Sequence, residues 1–159
     1  MLIAVNIYRA ATQSITSDEA FTFNRSVITP IPLLWESFDA NDHVLHTLLC
    51  KATIGLFGVS EFALRIPALS GGVLLLVMFL RLARRLFGES WTMLVVFLLL
   101  AFNPFLLDYG SIARGYGMAA ALLLVAIEQA MILLDRPMEL WRLNGIGVLL
   151  ALAVAANLT

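Results

Sequence analysis

The sequence predicts an all-α, polytopic membrane protein, and two observations carry that prediction. Of the 159 residues, 61 % are hydrophobic and only 13 % charged, against roughly 45–50 % and about 25 % in ordinary soluble domains. The apolar residues also gather in four runs that come close to the roughly 20 residues a helix needs to cross a hydrocarbon core of about 30 Å. Ten Lys/Arg against eleven Asp/Glu give a net charge of −1, so no basic field exists to hold nucleic acid. A single cysteine, Cys50, excludes a disulfide framework and a Cys-built zinc site, and His43 and His46 are the only histidines.

Taken in order, residues 1–10 read as a partial first helix, because Met1 to Tyr8 is apolar but covers less than half a span before Arg9. Residues 11–64 read as an outer loop of juxtamembrane helices, and residues 65–159 as four full spans. Ile66 to Leu80 is uncharged between Arg65 and Arg81, whose long stems can snorkel to the two interfaces. Trp91 to Leu107 is uncharged, with Asn103-Pro104 near its far end; Ile112 to Leu134 carries Arg114 near one end and Glu128 inside; Leu143 to Thr159 carries no charge. Both chain ends look cut inside apolar runs, which is expected of a fragment of a longer protein.

Within the loop, residues 42–58 predict an amphipathic helix. Leu45, Leu48, Leu49, Ala52 and Leu56 recur at helical spacing, while His46 and Lys51 mark a polar side. A short helix of this kind lies in the interface rather than crossing it. Asn41 or Asp42 is the expected cap, with His43 on the surface, although a helix start at an outer interface is also an anion site. Clustering of Arg81, Arg84, Arg85, Arg136 and Arg142 assigns those turns to the cytoplasm. The opposite face then collects Asp18, Glu19, Glu36, Asp39, Asp42, Glu61 and Asp108, seven of the eleven acids.

Three polar clusters fall on that face. In Ser17-Asp18-Glu19-Ala20, Ser17 is the expected N-cap, and Ala20 stands where a capping box would place Glu or Gln. Asp18 and Glu19 are either acids decorating a helix start or carboxylates available for general-base work; pointing about 100° apart, they cannot form one dyad. Asn41-Asp42-His43 is the second cluster. The third is Tyr109 to Gly117, in which the Arg114 guanidinium suits phosphate oxygens and snorkelling is the alternative. Two surface carboxylates could hold a divalent cation, but the ligand count is too low to argue for one.

In order and spacing, Asp18-Glu19-Ala20, the helix opening at His43, Leu56 to Pro67, Leu82 to Gly88, Asn103-Pro104-Phe105 and Ala113-Arg114-Gly115-Tyr116 resemble the N-terminal part of the GT-C-fold glycosyltransferases that use polyprenyl-phosphate sugars. That family includes the protein mannosyltransferases and the aminoarabinose transferase of lipid A. Val44-Leu45 and Ile112 depart from its pattern, where many relatives carry prolines and an acid. The resemblance implies transfer of a sugar from an isoprenoid phosphate to an acceptor hydroxyl with inversion, on the non-cytoplasmic side of the plasma (inner) membrane. Asp18 would be the base and Glu19 would position it or the acceptor. Arg114 would stabilise the phosphate, Tyr116 would line the carrier groove, and His43 and Lys51 would offer further phosphate contacts. The alternative is a non-catalytic membrane module or small transporter subunit, disfavoured because a transporter is expected to place polar groups near the bilayer midplane, and here Glu128 is the main one.

Overall fold

The computed structural model describes residues 1–35, 43–136 and 139–157. Among them there is no strand; the chain forms α1 (Leu2–Thr12), α2 (Ser17–Thr22), α3 (Val44–Phe57), α4 (Glu61–Phe87), α5 (Trp91–Ala101), α6 (Pro104–Tyr109), α7 (Tyr116–Asp135) and α8 (Trp141–Ala156). A π turn at Phe23–Val27 extends α2, and a 3₁₀ turn covers Ile31–Trp35.

Two of these helices, α4 with 27 residues and α7 with 20, are long and apolar enough to cross a membrane. Among the described residues four full spans are not found, the other apolar helices being shorter. The run from Trp91 stops at Ala101 after 11 residues, because Pro104 disfavours helical geometry at Asn103 before it. Asn103 then caps a new short helix through its side chain, which accepts the Phe105 N–H at 3.0 Å. The third run begins at Tyr116 rather than Ile112, leaving Arg114 in the turn before α7, and α8 has 16 residues. At the N-terminus the helix runs past Arg9 to Thr12.

α4 and α7 pack side by side and parallel. Near their starts Gly71 lies against Met118 so closely that a Cβ there would meet the Met118 Cα at 2.8 Å, the small-residue contact that lets helix backbones approach. Towards their ends Arg81 Nε donates to Glu128 at 2.9 Å, and Arg85 pairs with Asp135. Glu128, the main charge inside the third apolar run, is thus paired, and Arg81 reaches across to α7 rather than only outwards. Arg142 of α8 joins the same end through Gln129 and Glu139. Arg65 and Arg81 are about 24 Å apart along α4, and Ile66 to Leu80 between them carries no charge. The molecule therefore has two polar ends and an apolar middle.

α3 is oriented in a way its periodicity left open. His46, Thr47 and Cys50 face inward and are buried, whereas Leu49, Leu56 and Phe57 are exposed. Lys51 turns back, its amine donating to the carbonyls of Val27 (2.6 Å) and Thr29. The apolar stripe thus points away from the protein and the polar side points into it.

Candidate functional site

The first polar end is built on a buried ion pair. Thr16, not Ser17, caps α2. Its hydroxyl accepts the Glu19 N–H at 3.3 Å, and Glu19 Oε2 accepts the Thr16 N–H at 2.9 Å, closing a capping box one residue earlier than the sequence suggested. That register turns Glu19 inward to complete burial. Arg65 meets it with a two-pronged fork, Nε to Oε1 and Nη2 to Oε2, both at 2.8 Å. The remaining Arg65 donors reach the carbonyls of Ala10 (3.0 Å), Gln13 (2.6 Å) and Ser14 (3.1 Å). Arg65 is 2 % exposed, so it does not snorkel; it ties the end of α1 and the following turn to α4.

Glu19 Oε1 also accepts the Ala113 N–H at 2.8 Å. One carboxylate therefore holds the neighbours of both Asp18 and Arg114, residues nearly a hundred positions apart. Burial alone would raise the Glu19 pKa; hydrogen bonds from Arg65, Thr16 and Ala113 and the guanidinium charge outweigh that and bring it from 4.5 to about 2. Glu19 is ionised and its two oxygens accept four N–H bonds, so no lone pair is left for a metal or a further donor.

Asp18 faces the other way and is 69 % exposed, with Oδ2 at 2.7 Å from Arg114 Nη2. Arg114 is buried on three sides. Its Nη1 lies 3.3 Å from His43 Nε2, and its guanidinium carbon sits 5.9 Å from the Tyr116 ring centre. His43 packs edge-on against Tyr116 at 5.1 Å, and Tyr116 against Tyr109 at the same centroid separation. His43 is itself the N-cap position of α3 and is fully buried, not a surface residue; Asn41 and Asp42 lie outside the described residues. The last turn of α8 closes the back of the cluster: a Cβ on Gly115 would sit 1.7 Å from the Ala156 carbonyl oxygen.

Thus Asp18, Arg114, His43 and Tyr116 converge, Glu19 lies beneath them, and Lys51 is directed elsewhere, with burial lowering its amine pKa. Arg65 is the residue the sequence reading did not assign to the site, and Tyr109, which falls in its third cluster, had no role there. Arg65 carried a signal, since it opens an apolar run on the same side as Glu19, but a snorkelling arginine reads identically. Deeper on α3, His46 Nδ1 is 3.5 Å from Cys50 Sγ. Burial, reinforced by the charges of His43 and Arg114, lowers the imidazole to about 3. Burial and the Glu19 charge push the thiol up to about 12. The two are neutral packing partners, not an activated thiolate.

Chemically, the site offers an exposed carboxylate ion-paired with a guanidinium with an aromatic flank, at one end of an apolar bundle. Among the described residues no three His, Cys, Asp or Glu side chains gather as a metal site. Comparison with protein-family models, with characterised proteins and with solved structures gives no match to this chain.

Proposed function

We propose that this chain is the site-bearing N-terminal part of a multi-pass membrane glycosyltransferase, which moves a sugar from a polyprenyl phosphate to an acceptor hydroxyl on the outer face of the plasma (inner) membrane. The observation that carries the reading is the Asp18–Arg114 pair, an exposed base joined to a phosphate-matched cation beside two tyrosines. In the proposed reaction the acceptor oxygen attacks the anomeric carbon, its proton passes to an Asp18 carboxylate oxygen, and the carbon–oxygen bond to the phosphate breaks with inversion. Arg114 neutralises the departing phosphate. To do so it gives up its bond to Asp18, which frees that carboxylate as base at the moment the donor is seated.

Topology supports the reading. The proposal takes the end that holds Arg81, Arg84, Arg85, Arg136 and Arg142 as cytoplasmic, which puts Asp18 and Arg114 on the outer face. In the proposed multi-pass arrangement the shorter apolar helices, α5 with α6 and α8, would return the chain beside α4 and α7.

The test uses the full-length protein that contains this chain, reconstituted in liposomes with a radiolabelled polyprenyl-phosphate sugar and a hydroxyl-bearing envelope lipid or protein fraction as acceptor, following carrier affinity and passage of the label to the acceptor. Asp18→Asn is expected to lower turnover by about 10²–10⁴-fold with carrier affinity little changed. Arg114→Ala is expected to weaken carrier binding about ten- to a hundredfold. Failure of the unaltered full-length protein to bind the carrier, or full turnover by its Asp18→Asn variant, would overturn the proposal and return the chain to the non-catalytic modules.

A further inference from the structure

The turn joining α3 to α4 presents three large apolar side chains that pack on almost nothing. Leu56 is 77 % exposed, Phe57 67 % and Val59 75 %, and Phe62 on the first turn of α4 is 41 % exposed. Gly58, at φ +83°, makes the reversal that swings Val59 outward, a conformation that side-chain-bearing residues rarely adopt. The exposed face of α3 behind this tip holds no charge, because the one charged residue of the helix, Lys51, spends its amine on the Val27 and Thr29 carbonyls. The nearest acid, Glu61, leans back on Arg65 at 4.0 Å. A largely apolar cavity of about 210 Å³, lined by Ile15, Phe23, Val59, Ser60, Glu61 and Leu64, opens directly behind the turn.

We infer that this turn is a membrane-inserting tip: Leu56, Phe57 and Val59 enter the apolar side of a lipid monolayer, with α3 lying along it. Water is a poor neighbour for such a surface, since contiguous apolar patches of this kind mark interaction sites. The bilayer is the occupant because the tip is continuous with the flank of α4, where Val73 and Val77 are also exposed on a helix long enough to cross. An interfacial helix buries its apolar face about 5–10 Å into the headgroup–acyl boundary, the depth at which the tip would sit if the first turn of α4 starts in the headgroups. The inference rests on the membrane reading of α4 and α7 but not on any enzymatic activity.

The test places a nitroxide at Leu56→Cys, and in parallel at Phe57→Cys and Val59→Cys, with the chain in phosphatidylcholine vesicles. The native Cys50, fully buried, stays unlabelled. Relaxation by oxygen against a water-soluble nickel chelate reports depth, with Val77→Cys as the hydrocarbon reference and Glu89→Cys as the aqueous one. Tip labels are expected between the two references and closer to Val77. Tip labels indistinguishable from Glu89, with Val77 in hydrocarbon, would overturn the inference alone. Spin–spin broadening between tip labels would instead assign the surface to a second copy and also overturn it. An aqueous Val77 would remove the membrane reading and this inference together.

Discussion

Glu19→Gln keeps the shape of the side chain and its ability to accept the Ala113 N–H, yet leaves the Arg65 charge buried without its counter-charge. The magnitude follows from the structure. A fall in pKa from 4.5 to about 2, at about 1.36 kcal/mol per unit, is worth about 3 kcal/mol. That lies at the lower edge of the roughly 3–5 kcal/mol lost when one partner of a buried pair is removed. The chain carries its own reporter. Cys50 is the single thiol, wholly buried, and its Sγ donates to the Leu64 carbonyl at 3.3 Å, the residue beside Arg65. Opening of the α3–α4 contact exposes it to a pyridyl disulfide, a reagent that reacts in acid as well as at neutrality. At pH 7 the variant is expected to unmask Cys50 about 150-fold faster, the factor that 3 kcal/mol implies.

The pH dependence has a definite sign. The folded pKa of Glu19 is depressed, so its contribution is fully present above about pH 4.5 and is lost as pH falls towards 2. Unmasking in the unaltered chain should accelerate across that window, and the Glu19→Gln chain should lack this component. Equal unmasking rates for the two chains at pH 7, within about threefold, would refute the claim that the pair holds this end together.

Three further outcomes are expected. Gly71→Ala forces a Cβ to within 2.8 Å of the Met118 backbone and should cost about 1–3 kcal/mol by overpacking, read as a lower midpoint in detergent thermal unfolding; no shift would show that α4 and α7 can separate freely. Lys51→Met should destabilise by about 1–3 kcal/mol, because it strips the carbonyls of Val27 and Thr29 of their donor. It should leave affinity for a polyprenyl phosphate unchanged, and a large loss of that affinity would restore Lys51 as a phosphate ligand. His43→Ala removes the ring that packs on Tyr116 and faces Arg114; carrier affinity should fall less than in Arg114→Ala, and an equal fall in titration would make His43 a direct ligand.

The sequence by itself determined the helical class, the two polar ends separated by an apolar middle, and the grouping of Asp18, Arg114 and Tyr116 at one end. Those features follow from run lengths, the spacing of charges and the solvation cost of charge, all of which are local properties of the chain. Helix continuity was less legible. An apolar run from Trp91 to Leu107 looks unbroken in composition, but Pro104 and the Asn103 cap split it. The capping register was equally hidden, since Thr16 and Ser17 are both good caps. Thr16 is selected because only that choice turns Glu19 towards Arg65, a partner 46 residues away. Tertiary structure alone decided that Arg65 is a buried clamp, that Lys51 serves backbone carbonyls, and that α3 faces inward with its polar side. In each case the side chain could equally have met solvent or a headgroup, and which partner it took depended on a distant segment arriving beside it.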